Sequence, residues 1–415
     1  MSNRLSGSRL ETGRIAGIHQ LTRPAPVPLD AARLRVERIA DEDALAALVP
    51  EWEALHGDIS PRTPFSSPHW NVLWWKHLSE RRLFVADELF VHAIRGEDGR
   101  LIAVAPMVLT RRPGRGPGSL RALQFFGVDA NVTELRGPVC RAEHEAVVFE
   151  VLRNLAYAHE GEWDWVHWRG LRGGEGVWSA VDPSRLAAVD TIPDYYLELP
   201  ASWEEFRAGL SRNIKESLRK CYNSLKRDGH TFEFRVVESE SETPAAMRTF
   251  FELHAARAAL SGTVTHADVF STPRARTFLE RFSEDSARRG TLRVFQLVID
   301  GRVVASRVGF ALGDELYLYF SGYDPAWGRY SVMTTAVAES IRFAIAQRFR
   351  VVNLSPGADV SKLRWGPREV RFSQAVEISR NPRSRFAFEA YMAVVKATRA
   401  SSRFHTALRA IGRRR

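Results

Sequence analysis

The spacing of apolar residues changes period repeatedly along the chain, and each change marks an element. In the first half, EDALAALVPEWEALHG and SSPHWNVLWWKHL carry apolar residues at i, i+3 and i+4, which predicts helices. Strands are expected near 83–95, 101–110 and 121–126, then a helix over 143–159 and an aromatic strand, EWDWVHWRGL. GLRGGEGVW is rich in glycine but lacks the phosphate-loop pattern, so it reads as a loop, and YYLELP closes the half. The second half opens with WEEFRAGLSRNIKESLRKCYNSLKRDG, predicted as one helix ending at Gly229. A strand (TFEFRVV) and two helices (243–262 and 271–290) follow. Then come three consecutive strands over 292–323, a helix from Ser331, and strands at RVVNLSPG and RFSQAVEIS.

An internal echo organises these pieces. DGRLIA at 98–103 and DGRVVA at 300–305 each stand between two strand-like runs. Asp-Gly in that setting predicts a tight hairpin, because glycine accepts the positive φ such turns need. The separation of about 200 residues suggests two copies of one α/β domain with a mixed sheet. The expected domains are 34–200 and 201–380, between a disordered tail over 1–33 and a basic helix or tail over 381–415.

Composition narrows the setting. A chain of 415 residues with 45% hydrophobic and 26% charged residues has the make-up of a globular protein. The net charge of +10 favours acidic partners such as phosphates, nucleic acid, anionic lipid or a charged cosubstrate. Two cysteines, Cys140 and Cys221, are too few for a disulfide framework. The first twenty residues hold no apolar block of the signal-peptide kind, and no run approaches a membrane span. A cytoplasmic protein is expected. The histidines are scattered and Cys140 with His144 is an isolated pair, so no metal is expected.

The order of elements, with LSRNIKESLRK, FFELHAARAALSG, IDGRVVASRVGF, YFSGYDPAWGRYS and KLRWG, resembles the CelD/BcsL-type branch of the GNAT acyltransferase superfamily. That branch is related to the Fem peptidyltransferases, which carry tandem GNAT-like domains, and the resemblance spans about residues 36–380. It implies an N-acyltransferase with acyl-CoA or acetyl-CoA as cosubstrate and no permanently bound cofactor. It also implies a wedge between splayed strands, taken here as Ser306–Ala311 and Glu315–Ser321, holding pantetheine on Val308, Gly309, Phe310 and Ser321. The diphosphate would sit at the helix starting near Ser331, on the turn with Gly328, Arg329 and Tyr330, because helix N-termini attract anions. The glycine-rich turn usual at this point in GNAT enzymes is replaced by WGRYSVM. A carrier-protein thioester or aminoacyl donor stays open.

Amine acylation needs a base for the amine, a polarised thioester carbonyl and a proton for the leaving thiolate. His254 titrates in the range a base requires, and as readily reads as a packed helix-face histidine. Arg257, one turn on, would bind an acidic group of the acceptor. Tyr319 or Tyr323 would protonate the thiolate, although YLYFSGY also alternates as a half-buried strand does. Asp324 before Pro325 reads as a turn builder. Lys362, with Asp359 and Trp365 around it, resembles the Lys-x-x-Phe-Gly element of the Fem-like proteins and would face a phosphate or the oxyanion.

Three readings compete. The first is acyl transfer to an amino sugar, polysaccharide precursor or lipid amine. The second is Fem-like transfer from aminoacyl-tRNA, with the stripe Arg212, Lys215, Arg219, Asn223 and Lys226 on phosphates. The third is a non-catalytic membrane- or nucleic-acid-binding module on a degenerate GNAT core; DNA is not among the partners implied for the enzyme. Residues 383–415 form a basic amphipathic helix able to lie on an anionic inner-membrane surface or to dock on its own domain.

Overall fold

The computed structural model describes residues 29–412, apart from 115, 117, 130, 173 and 261–265. The tail expected over 1–33 lies outside the described residues up to residue 28, as do the side chains of 398–412.

The first half begins with strand β1 (Arg35–Ile39), then helices α1 (Glu42–Ala47), α2 (Val49–Asp58) and α3 (Pro68–Leu78). Local chemistry sets the starts. The Asp41 carboxylate accepts from Ala44 N–H at 2.8 Å, and the Ser67 hydroxyl accepts from Trp70 N–H with Pro68 at the first position of α3. Strands β2 (Arg81–Arg82), β3 (Val85–Leu89), β4 (Val91–Arg95), β5 (Leu101–Ala105), β6 (Met107–Arg112), β7 (Leu120–Phe125) and β8 (Val139–Cys140) follow. Helix α4 (Glu145–Ala158) leads into β9 (Trp165–Leu171) and the long β10 (Leu186–Glu198), of which the sequence pattern marks only the end.

The second half carries α5 (Trp203–Gly209), α6 (Arg212–Arg227), β11 (Phe232–Val237), α7 (Thr243–Ala258), α8 (Pro273–Arg288), β12 (Leu292–Ile299), β13 (Arg302–Leu312) and β14 (Glu315–Tyr323). Helix α9 (Val332–Ala346), β15 (Val351–Asn353), the single turn α10 (Val360–Leu363), β16 (Arg368–Ile378) and α11 (Pro382–Gly412) complete it. The helix expected over 203–229 is two helices. Leu210 and Ser211 are extended, and the break buries Leu210 beside Ile214 and Leu218.

Twelve strands form one mixed sheet in the order β11-β12-β13-β14-β15-β10-β16-β9-β7-β6-β3-β2. The same motif occurs twice. In each half an antiparallel meander feeds a helix that crosses to a parallel strand: β6-β7-α4-β9, and β13-β14-α9-β15. The fold is mixed α/β, as the sequence predicts. Both DGR segments lie in hairpins, but the loops differ. Asp300 and Gly301 have φ of 49° and 80°, the pattern of a two-residue turn, whereas five residues join β4 to β5.

One apolar cluster spans both halves, beside others confined mainly to one of them. Trp70 of α3 packs edge-on against Phe278 and Phe282 of α8, each at 4.8 Å, and Phe65 against Tyr317 of β14 at 5.5 Å. Buried on both faces, β14 is a central strand rather than a half-buried one.

Candidate active site

The wedge lies one strand over from where the sequence suggested. β13 and β14 stay paired from Ala305↔Tyr323 to Leu312↔Glu315, with a single register shift between Arg307 and Gly309. That pairing buries Val308 and Phe310, and Gly309 lies so close to the Phe295 ring that a Cβ would stand 2.9 Å from it. None of the three lines the cleft. The strands that part are β14 and β15, whose parallel pairing ends at Tyr317↔Asn353. Beyond it the two chains diverge around a cavity of about 480 Å³.

Hydrogen bonding makes β15 turn away. The Asn353 amide donates to Asp194 Oδ2 at 2.9 Å and its oxygen accepts from Ser355 N–H at 2.6 Å. A carboxylate could not do both, which explains asparagine here. Ser355 then takes φ of 69°, a left-handed conformation uncommon outside glycine. Lys362 Nζ clamps the turn by donating to the Ser355 hydroxyl (2.9 Å), the Ser355 carbonyl (3.1 Å) and the Pro356 carbonyl (2.7 Å). Burial pushes its ammonium pKa down, and the carboxylate of Glu134 opposes the shift.

The tip of α9 forms another wall. Ser331 stands at φ 54°, ψ 41°, taking the conformation a glycine would normally supply, and no side chain caps the helix. The N–H groups of Thr334 and Thr335 turn back to the Ser331 carbonyl (2.8 and 3.3 Å), while those of Val332 and Met333 have no partner among the described residues. Ser331, Val332, Met333 and Thr334 all line the cavity, so the two free N–H groups belong to its wall. Gly328 lines it too. Arg329 and Tyr330 do not: Arg329 donates to the Tyr330 hydroxyl, which donates to Asp228 Oδ2 at 2.9 Å.

Cationic groups crowd the remaining wall. Arg307 donates to the Tyr319 carbonyl at 3.2 Å, and burial lowers its pKa to about 10. Arg257 donates to the Ser321 hydroxyl (2.9 Å) and to His266 Nε2 (2.9 Å). A guanidinium only donates, so that nitrogen of His266 is unprotonated, and burial with the neighbouring Arg257 charge depresses its pKa. Asp359 and Trp365 also line the cavity, with Asp359 capping α10 by accepting from Ser361 N–H.

Two expected residues are otherwise engaged. His254 donates from Nδ1 to the Ser321 carbonyl at 3.1 Å, and burial depresses its pKa. It lies off the wedge, against a second cavity of about 420 Å³. Gly322 makes this approach possible, because a Cβ there would stand 2.2 Å from the His254 backbone nitrogen. Tyr319 faces the wedge, but its hydroxyl donates to the Val132 carbonyl and burial drives its pKa well above the ordinary value. Tyr323 lines the wedge with a hydroxyl that has no hydrogen-bond partner among the described residues. Asp324 builds the turn, accepting from Ala326 N–H at 3.0 Å.

The residue that the pattern did not announce is Glu134. It comes from an irregular segment of the first half, lines both cavities, and accepts from the Tyr317 hydroxyl at 2.8 Å. Burial raises its carboxyl pKa to about 7 against the opposing pull of Lys362, Tyr317 and Arg307. No periodicity marks ANVTELRGP, so only the folded contact reveals it.

Residues 212–363 match the profile of a family described as an acetyltransferase (GNAT) domain. That match runs from α6 to α10 and covers under half of the chain. Among solved structures, FemX is similar at 10% identity and a TM-score of 0.50, covering 78% of this chain and 95% of that one, a likeness of fold alone. The C-terminal domain of a putative lysylphosphatidylglycerol synthetase from Agrobacterium fabrum aligns at 12% identity and TM-score 0.46, over 84% of this chain and 97% of its own. A tandem GNAT protein from the clavulanic acid biosynthesis pathway aligns at 10% and 0.40, over 83% and 98%. Neither of these two is close enough to bear on function. Comparison with curated proteins gives no match.

Proposed function

We propose that this protein is an N-acyltransferase that moves an acyl group from acyl-coenzyme A to an amine. The observation that carries the reading is the parting of β14 from β15 beside an uncapped helix tip, within the GNAT-matched residues. The amines we favour are those of an amino sugar, a polysaccharide precursor or a lipid, following the resemblance to the CelD/BcsL-type branch.

In this reading the thioester arm lies between Tyr319–Tyr323 and Ser355–Lys362, and its diphosphate meets the Val332 and Met333 N–H groups. Glu134, poised near neutrality, takes a proton from the incoming ammonium or from the attacking amine. The amine nitrogen bonds to the thioester carbonyl carbon. Lys362 and Arg307 offset the negative charge that develops on the carbonyl oxygen. When the C–S bond breaks, the sulfur receives a proton from Tyr323, which is replenished from solvent.

The test is calorimetry with coenzyme A and acetyl-coenzyme A on the parent protein and on Ser331→Glu. Binding to the parent and its loss in the variant are expected, since the added carboxylate would repel the diphosphate. A parent that binds neither ligand would end the reading. An aminoacyl-tRNA donor is the second reading, favoured by the exposed Arg219, Lys220 and Lys226 on α6, which have no ion-pair partner among the described residues. Binding of tRNA that weakens steeply with salt, together with no binding of coenzyme A, would favour it.

A further inference from the structure

The second cavity holds two arginines that nothing in the proposed transfer uses. Arg136 and Arg169 line it together, on segments 33 positions apart that each read Arg-Gly. The glycines press the two backbones together. A Cβ on Gly137 would lie 2.6 Å from the Arg169 carbonyl oxygen, and one on Gly170, at φ 73°, would lie 2.4 Å from the Arg136 carbonyl oxygen. Such an approach is open only to glycine, and it sets two guanidinium side chains beside each other in one cavity wall.

Asp129 acts on the Arg136 charge and Asp190 on that of Arg169 only from beyond ion-pair distance. Arg136 donates from Nη1 to the Gly127 carbonyl at 2.7 Å, and neither arginine forms an ion pair among the described residues. The Arg169 side chain makes no hydrogen bond among the described residues, and its Nε is buried without a partner. The carboxylates in the wall are committed elsewhere. Asp129 accepts from Trp74 (2.9 Å) and from Thr133 (2.7 and 3.1 Å), and Glu134 accepts from Tyr317. Half-buried guanidiniums short of acceptors are costly to hold, and two side by side more so, unless an oxyanion joins them. The cavity shares Glu134, Arg257, His266, Phe320 and Pro356 with the wedge, so a molecule anchored on the arginines reaches the Glu134 carboxylate.

We infer that the acceptor is an amine that also bears an anionic group, a phosphate or a carboxylate, held by Arg136 and Arg169 while its amine faces Glu134. This rests on the acyl-transfer reading for the role of Glu134; the anion site itself does not.

The test is calorimetry on the full chain with glucosamine, glucosamine 6-phosphate, glucosaminic acid and inorganic phosphate, with and without coenzyme A. At least one anionic probe is expected to bind about tenfold or more tightly than glucosamine, as one charge-assisted contact supplies. A gain for the sugar phosphate and inorganic phosphate assigns the group as phosphate; a gain for the acid alone assigns carboxylate. Arg169→Gln should remove the gain while leaving coenzyme A binding intact and the melting temperature no lower than the parent's. Equal affinity for all probes in the parent, or a gain that survives in Arg169→Gln, overturns the inference. Failure of the acyl-transfer reading shows separately, as absent heat with coenzyme A.

Discussion

The Glu134 carboxylate accepts a 2.8 Å hydrogen bond from the hydroxyl of Tyr317, 183 positions further along the chain. One partner belongs to an irregular segment of the first half and the other to the central strand of the second. The wedge is therefore completed by a group that the GNAT-matched residues do not contain.

Glu134→Gln should lower turnover by roughly 10² to 10⁴, the usual worth of a general base. The pH profile of the parent should rise through about 7, as the carboxylate ionises, and that limb should vanish in the variant. Stability should move the opposite way. A carboxyl whose pKa is raised by folding contributes stability at low pH that is lost as pH climbs through its folded value. Melting curves across pH 4–8.5 should show the variant gaining on the parent as pH rises from the ordinary carboxyl range to about 7, and keeping that gain above it.

The two tyrosines should separate chemistry from packing. Tyr323→Phe removes a wedge hydroxyl that has no partner among the described residues, and should slow turnover about tenfold or more with little change in melting. Tyr319→Phe leaves the buried Val132 carbonyl without its donor and should cost about 1–3 kcal/mol of stability. Paired kinetics and denaturant titration check both.

Ser331→Gly should stabilise the protein by up to about 1 kcal/mol, because the residue occupies a left-handed conformation at φ 54°. Urea midpoints measure this, and coenzyme A affinity should stay close to the parent value, since the backbone N–H groups are unaltered.

Gly322→Ala should be among the most damaging small changes. Its Cβ would meet the backbone of α7 at 2.2 Å, forcing the helix off β14. A loss of about 3 kcal/mol or more is expected, read from denaturant unfolding.

Much of the fold was legible because the period of the apolar residues reports local geometry. The helices near Trp52, Trp70 and Phe278 and the meander over 292–323 fall where that period places them. Strand pairing is less local. Nothing in IDGRVVASRVGF or YFSGYDPAWGRYS says which neighbour β14 leaves, so sequence alone points to a wedge one strand away from the real one. Ser331, Gly328, Ser321, Tyr323, Arg257 and Lys362 could be singled out from their place beside the helix start and its strand, and they do meet in one cavity. Glu134 and the arginine pair could not, because their positions depend on tertiary approach of irregular segments with no periodic signal.

Strand β10, wedged between β15 and β16, has a practical consequence. A recombinant piece trimmed to residues 212–363 would strip the neighbour from β15, leave a raw hydrogen-bonding edge open to self-association, and take Glu134 away with it. Measurements on such a fragment would describe a different cleft.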